Sequence, residues 1–236
     1  GLYLDAQKDG IVREDVVSEV VNLLRLRYFL TERVFFHHTK TASGAMVSRA
    51  VEQATRAGLT LDDLLVLTDE RLLALLETRF AGDPVVQRLL AALASRRLYK
   101  RAYVLTRAVG EERRLNLVER FHQDPDRRRE AEERLAARLR FHEGELIVYC
   151  PAAGMQLKEA EVRLKVDPGP PRSLASLNVP EVAVLRDRHQ DLWRFYVFVA
   201  PERMGRALQI SRECEEFFGL QNHLPALQSA QMYLGL

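Results

Sequence analysis

The chain has 236 residues, 47% hydrophobic and 29% charged, with 35 basic against 33 acidic residues and a formal net charge of +2. That apolar content with so little net charge excludes a disordered chain, and the length allows a real core in one large domain or two small ones. No apolar run approaches a membrane span, the opening GLYLDAQKDG lacks a charged-then-apolar leader pattern, and Cys150 and Cys214 give neither metal spacing nor a disulfide framework, so a cytoplasmic protein without membrane contact is expected.

From Arg13 to Ala57 apolar residues recur at helical spacing, through Val17, Val20, Val21, Leu24, Tyr28, Val34, Phe35, Ala42, Ala45, Met46 and Ala50, and Gly58 supplies a stop. The run is long for one straight helix, and a break is expected near Thr39 to Gly44. Thr60 caps a short helix over Leu61 to Val66, and Thr68 caps one that ends near Phe80. Asp83-Pro84 starts a helix to about Ser95. Tyr99 to Thr106 reads as a strand, Glu111 to His122 as a helix, and Asp124-Pro125 as the start of another helix to Arg140.

Beyond Arg140 the pattern changes. Leu146 to Cys150, Glu161 to Val166, Val182 to Leu185 and Trp193 to Val199 read as strands. Asp167 to Pro171 is a loop, and Asp187 to Gln190 a turn that joins the last two strands. Pro201 opens a helix to Phe218, and Pro225 to Leu236 can form one more. The expected fold is mainly α with a C-terminal α+β lobe: a helical bundle over residues 1–140, then a small antiparallel sheet with a packed helix over residues 141–236.

No Walker loop, GxGxxG, HExxH or GxSxG is present among these residues. Of six histidines only His37 and His38 are adjacent, and neither has a ligand four residues on. His189, between Asp187 and Asp191, reads as part of a solvated turn. Neither a catalytic pair nor a metal-ligand set is expected in this chain.

The segment from Arg27 to Arg49 carries the clearest chemical signal. No acidic residue lies between Arg33 and Val51, and Arg33, His37, Lys40 and Gly44 fall at i, i+4, i+7 and i+11, one face of a continuous helix. Arg27 lies about 120° away around that helix. Phe29, Phe35 and Phe36 flank the cations. Donors on a rigid element, aromatic surface and no nearby carboxylate suit a nucleoside triphosphate. A solvated polar helix face fits the same spacing. Arg96, Arg97, Lys100 and Arg101 either complement a helix C-terminus or bind an anion. Arg127, Arg128 and Arg129, followed by Glu130, Glu132 and Glu133, read as a solvated helix face.

Arg27-Tyr28-Phe29-Leu30-Thr31-Glu32-Arg33-Val34-Phe35-Phe36-His37-His38 resembles the R-Y-x-L-x-x-R-V-Y-x-H-x segment of HD-domain phosphohydrolases, the dNTP triphosphohydrolases and their bacterial relatives in particular. Leu67-Thr68-Asp69 resembles an LTD helix start of that family, and Arg96-Arg97-Leu98-Tyr99-Lys100 its R-x-L-[FY]-K segment. The resemblance covers most of the chain. It implies a phosphate-holding role for Arg27 and a substrate-pocket role for Phe35, with Phe36 beside it. Arg33, His37, His38 and Lys40 then stand near an effector nucleotide. Phe35 replaces the family's usual Tyr and so lacks its hydroxyl, and His38 replaces a common Lys with a pH-dependent cation.

The family's H…HD…D metal centre lies upstream of the matched segment, and the chain holds no His-Asp dipeptide. The resemblance therefore implies the C-terminal portion of an HD-family nucleotide phosphohydrolase. Such a portion contributes phosphate-binding and assembly surfaces but no metal ligands and is inactive alone; the divalent metal belongs to the complete enzyme. Expected partners are a nucleoside triphosphate and either a second copy of the chain or an N-terminal HD segment. The alternatives are a nucleic-acid-binding protein, which the near-neutral charge disfavours, and a purely structural interaction module.

Overall fold

The computed structural model describes residues 3–8, 11–154, 162–166 and 169–233. The chain divides into two compact units, one of residues 1–37 and 152–193, the other of residues 38–151 and 194–236.

In the first unit β1 (Leu4–Asp5) pairs in parallel with β6 (Arg163–Lys165), which pairs antiparallel with β7 (Arg172–Ser173). A hairpin of β2 (Gln7–Lys8) and β3 (Ile11–Val12) leads into α1 (Glu14–Leu30). Glu14 and Asp15 in the first turn of α1 and Arg27 in its last complement the helix dipole. Val20, Val21, Leu24 and Tyr28 of α1 join Leu164, Leu174, Val182 and Leu185 in one buried cluster.

Val182 and Leu185 belong to α8 (Pro180–Gln190), not to the expected strand. Pro180 takes the first helical position, where its missing N–H costs nothing. Val182, Leu185 and His189 then share one helical face against α1, and that period-3.6 burial decides the short Val-Ala-Val-Leu run. His189 is buried on this helix rather than placed in a solvated turn. Glu161 of the expected strand, Asp167 and Pro168 of the expected loop, and the last three residues of the expected tail helix lie outside the described residues.

The second unit is built on a three-stranded antiparallel sheet in the order β4 (Lys100–Thr106), β8 (Arg194–Val199), β5 (Leu146–Tyr149). One sheet thus draws strands from both sides of residue 140, and the compact units do not follow a linear division there. Ile147, Tyr196 and Phe198 pack in one cluster with Ala42, Met46 and Ala50 of α2 (His38–Arg56) and Val86 and Leu89 of α5 (Pro84–Ala94). Phe121, at the end of α6 (Glu111–Phe121), and Phe218, at the end of α9 (Ala207–Phe218), stack edgewise with ring centres 5.6 Å apart, and Phe218 reaches Phe195 of β8 at 5.1 Å.

The helix starts follow their local chemistry. Thr60 and Asp63 form a reciprocal capping box at α3 (Leu61–Leu65). Asp83 accepts the N–H groups of Val85 and Val86 at 2.9 and 3.0 Å ahead of α5, and Asp124 that of Arg127 at 2.9 Å ahead of α7 (Pro125–Leu139). Thr68 precedes α4 (Asp69–Arg79) without a side-chain cap bond. After β8 the chain makes a tight turn over Pro201–Arg206 before α9, which Gly219 ends in the left-handed region.

The outer edge of β4 is covered by the segment ahead of α10 (Leu224–Tyr233). The N–H of His223 donates to the carbonyl of Val104 at 2.8 Å. The Asn222 side chain accepts from Val104 N–H and donates to Ala102 O, both at 3.0 Å. Thr106 N–H donates to His223 Nδ1 at 3.1 Å.

Candidate functional site

The cationic segment is not one helix. After Leu30 the backbone widens into a π-helical turn over Thr31–Phe35, closed by Phe36 N–H to Thr31 O at 2.8 Å. The Thr31 hydroxyl donates to the carbonyl of Arg27 at 2.8 Å, a back-bond that loosens the helical ladder. His37 stands outside any helix, and α2 starts at His38. The break therefore precedes the expected one near Thr39 to Gly44. Arg33, His37, Lys40 and Gly44 therefore do not lie on one continuous helix, and the helical spacing does not by itself place them on one face.

The π-turn brings two other pairs together. The Arg27 guanidinium lies 5.9 Å from the Phe35 ring centre, and that of Arg33 lies 5.3 Å from the Phe29 ring centre. Both distances fall within cation–π range. Phe29 and Phe35 are exposed, and Phe36 is half-buried. Tyr28, buried beneath them, donates its hydroxyl to Glu32 at 2.9 Å. Burial first, then that bond, pushes the Tyr28 hydroxyl up to about 12, so it stays protonated at neutral pH.

His38 and Lys40 open the 19-residue α2 in the second unit. Its first turn has no acidic residue. A helix N-terminus is its positive end, so a sequence tuned for stability places Asp or Glu there.

Leu23, Leu26 and Leu30 project from α1 into solvent, each more than half exposed. At spacings of three and four residues they form one apolar stripe beside the Arg27–Phe35 pair.

One charged constellation escaped the sequence reading. Arg49 on α2 and Glu132 on α7 form an ion pair at 3.1 Å, with side-chain exposures of 3% and 6%. Glu132 also accepts the N–H of Val148 on β5 at 2.8 Å, so the pair ties two helices to the sheet. Glu143, half exposed, reaches Arg49 from outside at 3.4 Å. Burial pushes the Glu132 carboxyl up to about 7, although Arg49 and the Val148 bond pull the other way. The signal was present in the sequence: Arg49 interrupts the stripe Ala42, Ala45, Met46, Ala50, and Glu132 the stripe Ala131, Leu135, Ala136, Leu139. A charge at a core position of a helix is a buried charge or an error of register. Glu132 thus corrects the reading of residues 127–133 as a solvated face. Arg127 and Arg129 do pair locally with Asp124 and Asp126 at 3.2 and 2.8 Å, whereas Arg128 crosses to Glu52 of α2.

Among the described residues no group of three or more His, Cys, Asp and Glu side chains converges as a metal-ligand set. Nor is any of the described helices long and apolar enough to cross a membrane.

Residues 5–227 match the family described as HD associated region. The chain belongs to that family, whose description ties it to HD domains. Neither a curated protein nor a solved structure matches it.

Proposed function

We propose that the chain is the HD-associated portion of a metal-dependent nucleotide phosphohydrolase, contributing phosphate-binding and assembly surfaces to a complete enzyme. Membership of the HD associated region family supports the partner, and the Arg27–Phe35 pair across the π-turn is the observation that carries the substrate class. An arginine held over an exposed ring offers charge for a phosphate and a face for a base or sugar within one short segment. Arg33 over Phe29 repeats the arrangement six residues further on. In this reading His37, His38 and Lys40 offer further hydrogen-bond donors to a nucleotide.

A hydrolytic metal does not fit the described residues, which lack a converging donor set. In this reading it belongs to the HD segment. What this chain does is hold charge and an aromatic wall against the substrate.

The Leu23, Leu26, Leu30 stripe supports assembly. Glu14, Asp15 and Glu19 fill the first half of α1, and Arg25 lies in the second. That polarity favours antiparallel packing of α1 on the same helix of a second copy, acid against base at each end.

Calorimetric titration with a deoxynucleoside triphosphate tests the phosphate reading. Arg27→Ala and Arg33→Ala should each weaken binding by about tenfold to a hundredfold, the worth of one charge-assisted contact. Equal binding by the wild type and both variants would refute it.

A further inference from the structure

The second unit contains a cavity of about 450 Å³ between α5, the start of β5 and the turn after β8. Three arginines line it, Arg88, Arg97 and Arg203, with Tyr99, Glu145 and Glu202, over a floor of alanine and proline. It uses none of the residues of the α1 segment.

The three cations differ in how they are held. Arg203 is locked: its Nε and Nη2 donate to the two oxygens of Glu145 at 2.9 Å each, and its guanidinium lies 5.0 Å from the Phe141 ring centre. Glu145 is nearly shut off from water, so this pair is a neutral, rigid wall. Arg88 donates only to the backbone carbonyl of Glu143, and among the described residues no carboxylate pairs with it. Arg97 pairs with Glu202 where both are open to solvent, at 61% and 52% exposure. An exposed pair of this kind contributes little and parts readily. Once Glu202 swings out, two guanidiniums with most of their donors unspent face one cavity.

We propose that this cavity binds a phosphate monoester of a sugar, its phosphate held by Arg88 and Arg97. Two unmatched cations equal the charge of a phosphate monoester dianion, and the guanidinium fork matches its oxygens. The volume suits a small metabolite. Tyr99, 3% exposed and with its hydroxyl committed to Gly144 O at 2.6 Å, adds a small fixed aromatic surface to the cavity lining, beside which a sugar can rest. Glu202 sits on Arg97, where the phosphate would be held. Glu202 is therefore the internal competitor of the ligand, an anion that occupies the phosphate position when the cavity is empty.

The test is calorimetric titration of the full chain with ribose 5-phosphate, inorganic phosphate and uncharged ribose. Ribose 5-phosphate should bind best, inorganic phosphate more weakly, and ribose not measurably. Arg88→Ala and Arg97→Ala should each weaken ribose 5-phosphate by about tenfold or more. Glu202→Gln should tighten it by about fivefold, because it removes the competing charge and keeps the shape. A gain in affinity cannot come from misfolding, so this variant keeps the test sharp if an arginine variant folds poorly. Absent binding, equal binding of ribose, or unchanged or weaker affinity in Glu202→Gln overturns the proposal; inorganic phosphate binding as tightly as the ester overturns the sugar assignment.

Discussion

Glu132 faces Arg49 across 3.1 Å with both side chains nearly sealed from water, yet burial outweighs Arg49 and leaves the carboxyl well above its ordinary range. The two partners are unequal in what they can do when separated. A glutamate left alone takes up a proton, whereas an arginine stays charged. Glu132→Leu should therefore cost about 3–5 kcal/mol, Arg49→Met clearly less, and the double variant less than the sum of the two. Urea unfolding followed by circular dichroism at about pH 8 checks the order; equal single-variant losses that add would show that the pair is not coupled.

The same carboxyl predicts a pH dependence. Glu132 binds its proton more tightly folded than unfolded, so its contribution to stability is full below the ordinary carboxylate range and is lost as pH rises through about 7. Glu132→Gln fixes the neutral form. The stability of this variant relative to wild type should climb from the ordinary carboxylate range up to about pH 7 and level off above it, and a flat difference below pH 7 would contradict the assignment.

His223 works in the opposite sense. Burial, then Arg194, lowers its pKa, and its Nδ1 must be unprotonated to accept from Thr106 N–H. This contribution is present above about pH 6.5, the unfolded value, and is lost as pH falls through the lower folded value. Amide exchange at Thr106 should be slow at neutral pH, faster on acidification, and fast throughout in His223→Ala. Unchanged protection in that variant would mean that the His223 ring does not hold the Thr106 amide, and that the His223 backbone N–H and Asn222 suffice for this edge.

Gly144→Ala should destabilise the second unit by about 1–3 kcal/mol. Gly144 has φ +79°, and a Cβ there would lie 2.8 Å from Cγ1 of Val85. The turn also carries the carbonyls that accept Tyr99 and Arg88, so thermal unfolding and ribose 5-phosphate titration should suffer together.

The α1 stripe predicts an oligomer. Sedimentation of the wild type should show concentration-dependent association, and Leu26→Glu should give a monomer of unchanged circular dichroism. A wild type that stays monomeric at all concentrations removes the assembly role from α1.

Much of this fold was legible because local chemistry and tertiary packing agree. Asp83-Pro84, Asp124-Pro125 and Thr60 mark helix starts that the structure keeps, and the runs Tyr99 to Thr106 and Trp193 to Val199 mark strands that pair. Val182 to Leu185 misled because four apolar residues fit either period, and only contact with α1 selects the helix. The cationic residues were visible, but their arrangement was not. The backbone widens into a π-turn over Thr31–Phe35, and no spacing rule based on a regular helix contains that turn. Arg49 and Glu132 were readable as polar residues in apolar stripes, though which carboxylate meets which arginine depends on how α2 crosses α7.

The strand order β4-β8-β5 has a consequence for how the chain is made. On the ribosome β4 and β5 emerge first, and neither has a partner until Arg194 to Val199 arrives to lie between them. The nascent chain therefore travels through a long interval with two unpaired apolar edges, the condition in which strands find the wrong neighbour. Any product that stops short of residue 194 lacks the middle of its sheet, and it should be a client of chaperones rather than a smaller stable protein.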